Sequence, residues 1–60
     1  MKIDQNLIGK RVSVRLRTGG SYTGVIQKTT GTETEIQVED GTVHVQNGMI
    51  ASLQVLEVKQ

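Results

Sequence analysis

The sequence predicts an all-β fold: a small, strongly bent five-stranded antiparallel barrel with about one helical turn at its N-terminus. Three observations predict it. β-Branched residues are abundant, with eight Val, five Ile and many Thr among the 60 residues. Apolar and polar residues alternate over short runs, the period of a half-buried strand. Gly-containing turns separate those runs at regular intervals, as closely connected antiparallel strands require. No Pro, internal repeat or linker-like stretch interrupts the pattern, so residues 1–60 read as one domain.

The elements follow in order. Asp4 is placed to cap a single turn over Gln5–Ile8, and Gly9 can take the left-handed conformation that ends it. Leu7 and Ile8 are then expected to lid one barrel opening. The first strand spans about Lys10–Arg17, with Val12, Val14 and Leu16 on one face and Arg11, Ser13, Arg15 and Arg17 on the other. A three-residue loop Thr18-Gly19-Gly20 sets Leu16 opposite Tyr22, Val14 opposite Gly24 and Val12 opposite Ile26. Mid-strand Gly24 marks a sharp bend. Lys28–Thr34 is polar and Thr-rich and reads as a loop with frayed strand ends. The third strand covers about Glu35–Glu39. Asp40-Gly41 is a two-residue hairpin signal that pairs Val38 with Val43, Ile36 with Val45, and sets His44 opposite Gln37. Asn47-Gly48 turns the chain into a last strand running from about Met49 or Ile50 to Val58.

Composition bounds the function. A 60-residue domain hides only about 60% of its unfolded surface, so it needs support. With no Cys and one His, disulfides and a zinc cluster are excluded, which leaves oligomerisation. Seven Lys and Arg against six Asp and Glu give a net charge of +1, too little for wholesale capture of nucleic acid. No apolar run approaches the roughly 18 residues of a membrane span, and a cytoplasmic location is expected.

The last strand strengthens the case for association. Leu53 and Val55 fall on one face, Leu56 and Val58 on the other, and a strand apolar on both faces wants burial on both. A barrel of this size covers one. A second copy is expected to cover the other by edge pairing, with Val43 and Val45 of the fourth strand and Leu56 and Val58 of the fifth at the subunit interface.

The stretch from Val12 to Ile26 resembles the first motif of the Sm-like family (Sm, LSm and Hfq proteins), with Leu16, Gly19, Tyr22, Gly24 and Ile26 at its spacings. Val45–Leu53 resembles the second motif through Ile50 and Leu53. The resemblance covers nearly the whole chain beyond the first turn and describes a minimal, short-loop member. It implies an SH3-like barrel whose fourth strand pairs with the fifth strand of a neighbour, closing a homo-oligomeric ring that binds single-stranded RNA. The motifs also depart from the family's. The nucleotide-binding Asp position falls at Thr30 or Gly31, the Asn position at Thr34 or Glu35, and Arg-Gly is replaced by Gln46-Asn47.

Candidate RNA contacts are of two kinds. Lys28, Thr29, Thr30, Thr32, Thr34, Gln46 and Asn47 would line a pore, where hydroxyls and amides read base edges; they read equally as ordinary turn residues. Arg11, Arg15 and Arg17 form either a phosphate-contacting stripe or a solvated face paired with Glu35, Glu39 or the neighbouring subunit. His44 reads as solvated, Tyr22 as a barrel residue and Met49 as packing at a barrel mouth or seam. The lone His lacks an acidic neighbour on its strand, so no enzyme activity, cofactor, metal or small-molecule substrate is expected. Two functions stand: an RNA-binding ring, and a ring scaffold or protein-interaction module without the nucleotide pocket. A monomeric barrel of another family is a third.

Overall fold

The computed structural model describes residues 2–56. Five antiparallel strands, β1 (Arg11–Leu16), β2 (Ser21–Thr29), β3 (Glu33–Val38), β4 (Gly41–Gln46) and β5 (Ile50–Val55), form one sheet in the order β4-β3-β2-β1-β5. Short 3-10 turns cover Gln5–Leu7 and Asn47–Met49. The bent all-β sheet expected from the alternating pattern is therefore what forms. Its core is Ile3, Val12, Val14, Ile26, Ile36, Val45 and Ile50.

The N-terminal turn forms for the anticipated reason. Asp4 Oδ1 accepts from the Asn6 N–H at 2.9 Å, and Gly9 leaves the turn at φ +91°. The lid differs. Ile3 is buried and Leu7 packs on the core, while Ile8 is 42% exposed. A single 3-10 turn cannot present adjacent residues to the same side, so only one of Leu7 and Ile8 faces inward. Asp4→Ala removes the cap and is expected to cost about 0.5–1 kcal/mol, read as a fall of a few degrees in the midpoint of thermal unfolding.

Both hairpins keep the expected faces but shift register by two residues. In the first, Val14 lies opposite Tyr22 and Val12 opposite Gly24. The loop is Arg17–Gly19, closed by Leu16 N–H to Gly20 O at 2.8 Å, because Gly19 supplies the positive φ (+102°) such a loop needs at its last position. In the second, Val38 lies opposite Gly41, Ile36 opposite Val43 and His44 opposite Glu35. Among the described residues no non-glycine takes positive φ, so the turn falls on Glu39-Asp40 and Gly41 follows it. A shift of two preserves which side chains face inward, whereas a shift of one would invert them.

The stretch Lys28–Thr34 is mostly strand. β2 continues to Thr29 and β3 starts at Glu33, leaving only Thr30-Gly31-Thr32 as a turn. The register slips between Ile26 and Lys28, where a bulge turns β2 from β1 toward β3. That bulge sends Thr29 inward and Lys28 outward, which alternation counted from Ile26 would reverse. Gly24 sits where β3 crosses closest. A Cβ there would collide with the Gln37 carbonyl oxygen and stand 2.9 Å from Ile36 Cγ2. Bending a five-stranded sheet this tightly thus depends on a missing side chain.

Candidate functional site

One end of the barrel gathers the β2–β3 turn, the 3-10 turn between β4 and β5, and the end of β1. Thr29, Thr34 and Asn47 are all buried there. Asn47 Nδ2 donates to the Thr30 carbonyl at 2.9 Å, and the Thr34 hydroxyl donates to Asn47 Oδ1 at 2.6 Å. With its one proton so used, Thr34 Oγ1 accepts from the Thr29 hydroxyl, 2.8 Å away. The Asn47 N–H reaches Thr32 O at 2.8 Å. Gln5 Nε2 donates to Thr29 O at 2.7 Å and ties the N-terminal turn to the same end. Every buried side-chain nitrogen and oxygen among the described residues has a partner.

These contacts sort the loop candidates. Thr34 and Asn47 point inward and are spent on holding the two turns together. Thr30 is exposed, but its hydroxyl accepts from the Thr32 and Glu33 N–H groups at 3.2 and 3.1 Å, closing its own turn. Lys28, Thr32 and Gln46 remain exposed. Thr32, Glu33, Gln46 and Gly48 line a shallow groove across this end. The buried Thr34 was within reach of sequence reasoning, since it stands two residues from inward-facing Ile36. Asn47 gave no such signal, because its burial depends on the turn that follows β4.

The three arginines part company. Arg11 and Arg15 are exposed on β1, beside Val25 and Ser21 of β2, and Arg15 also faces Ser52 of β5. Neither makes an ion pair with Glu35, Glu39 or any other carboxylate among the described residues. Arg17 leaves the stripe. β1 ends at Leu16, and Arg17 clamps the second 3-10 turn through N–H to Met49 O at 2.8 Å and Nε–H to Gly48 O at 2.9 Å. The carboxylates Glu33 and Glu35 instead face His44, whose Nδ1 lies 3.8 and 3.7 Å from them. These groups are substantially exposed, so the pairs add little stability. Basic residues thus gather on β1 and acidic ones on β3 and the turn after it.

The interface candidates also divide. Val45 is a core residue, and Val43 packs against the core opposite Ile36, so what β4 offers a neighbour is its backbone edge. Leu56 is half-buried, with its N–H on Arg11 O at 2.8 Å. Val58 lies outside the described residues. Val55, opposite fully buried Val12, is 43% exposed, and Leu53 beside it is half-buried. No helix among the described residues is long and apolar enough to cross a membrane. No family model, curated protein or solved structure matches the chain.

Proposed function

We propose that the protein is a non-catalytic subunit of a homo-oligomeric, edge-paired ring that binds single-stranded RNA. The observation that carries this reading is the pair of open sheet edges. β4 and β5 stand at opposite ends of one sheet with no ladder between them, and the β5 edge exposes Val55 and half-exposes Leu53. Uncovered strands of this kind are templates for pairing. Because the two edges differ, their union is head-to-tail, and a contact of that kind makes a ring where its rotation closes. The RNA contacts assigned are Lys28, Thr32 and Gln46 at the barrel end, with Arg15 on β1 and Arg17 at the second 3-10 turn.

Native mass spectrometry tests the assembly. The expected result is a multiple of the 6.6 kDa subunit mass; Val55→Lys, which charges the edge, is expected to leave mainly single subunits. A wild-type spectrum of single subunits at micromolar concentration sinks the ring. Fluorescence anisotropy with short oligo-U and oligo-A tests the ligand. Affinity is expected to fall with salt, by about 0.7 logarithmic units per tenfold salt for each phosphate contacted.

One observation favours a second reading, a ring serving as a scaffold or protein-interaction module. Thr34 and Asn47, both counted among the base-reading groups, are hydrogen-bonded to each other. The chain also has a single aromatic, Tyr22, to stack a base. That reading is supported if the ring forms and no oligonucleotide binds at any salt.

A further inference from the structure

A second surface lies away from the barrel end just described. After the N-terminal turn, Gly9 N–H bonds to Ile26 O at 2.7 Å and Ile26 N–H to Lys10 O at 3.2 Å, drawing this segment along β2. On the other side of β1, Leu56 N–H bonds to Arg11 O. Between these attachments runs a groove lined by Ile8, Lys10, Arg11, Val25 and Leu56. Its apolar part is wholly aliphatic: Ile8 is 42% exposed, and Val25 and Leu56 are half-buried. Its charged part is Lys10 and Arg11, and among the described residues neither Asp nor Glu lines it.

We infer that this groove docks a protein segment that presents an aliphatic side chain next to a carboxylate, such as an acidic, aliphatic C-terminus. Charge complementarity selects the carboxylate: Arg11 has no carboxylate partner among the described residues, and a guanidinium takes a carboxylate through two parallel N–H bonds. The aliphatic floor selects the neighbouring side chain. A polynucleotide fits the groove less well, because bases are held chiefly by stacking on aromatic rings and this floor has none among its lining residues. The inference is independent of whether the ring binds RNA.

The test is fluorescence anisotropy of the full chain, in its native assembly, with a labelled peptide ending in Asp-Leu and a free carboxylate. Its counterpart ends in Asn-Leu-amide. The expected result is saturable binding of the acidic peptide, weakened roughly tenfold by Ile8→Ala through lost aliphatic burial. Arg11→Gln is expected to weaken it by a similar factor, and Arg15→Gln, on the same strand outside the groove, to leave it unchanged. Ile8 and Arg11 are exposed, and circular dichroism of each variant verifies that it is folded. Equal binding of the two peptides, or acidic-peptide binding indifferent to Ile8→Ala, overturns the inference. So does a groove that ignores the peptide but loses oligo-A affinity with Arg11→Gln, which makes it a nucleic-acid contact.

Discussion

Gly24→Ala is expected to destabilise the fold by at least about 3 kcal/mol, at or beyond the upper end of what overpacking usually costs. The reason is the identity of the neighbour. The added Cβ meets the backbone of Gln37 and a methyl of Ile36, which is fully buried. A flexible side chain could step aside; a hydrogen-bonded strand cannot do so without opening the β2–β3 pairing that bends the sheet. A domain of this length has roughly 3–9 kcal/mol of stability in all, so the variant is expected to be largely unfolded at 37 °C. Urea denaturation followed by circular dichroism measures it. A variant within about 1 kcal/mol of wild type, on the order of the extrapolation error of such fits, would show that β3 does not cross β2 this closely.

Asn47→Ala is the second large effect, expected at about 2–4 kcal/mol. Truncation takes the acceptor from the buried Thr34 hydroxyl and the amide donor from the part-buried Thr30 carbonyl, and each loss of this kind costs about 1–3 kcal/mol. Thr29→Val removes only the outer member of the chain, at the cost of roughly one hydrogen bond, about 1 kcal/mol. The comparison matters more than either number. If Thr29→Val proves as costly as Asn47→Ala, the hydroxyl chain does not run from Thr29 through Thr34 to Asn47. Chemical denaturation of the two variants decides it, and in the proposed ring Asn47→Ala also loosens both turns at the barrel end.

The candidate site was legible in part. Exposed Thr32 and Gln46, and the Arg11 and Arg15 stripe, are where polar alternation and the strand faces put them, whereas Lys28 is exposed only because of the bulge after Ile26. Thr34 and Asn47 read from sequence as members of the same group, because a polar residue near a turn reads as solvent-facing. Burial of a polar group depends on a partner brought from elsewhere in the chain, and Asn47 is thirteen residues from Thr34. Alternation continued past the end of β1 at Leu16 puts Arg17 on the stripe. Its actual place follows from where the second 3-10 turn presents two carbonyls.

What the sequence determined by itself is the face of the side chains along the regular runs of strand. A period of two, kept by Val12 and Val14 and by Ile36 and Thr34, survives any even change in register, and the capping of Gln5–Leu7 by Asp4 is local chemistry. What tertiary structure alone decided is the offset of the hairpins, the bulge after Ile26 and the closeness of β3 at Gly24. Those depend on which residue next to each turn takes the special backbone angle and on how far one strand must bend over another. Alternation carries no information about either, because every two-residue slip presents the core with an equally apolar face.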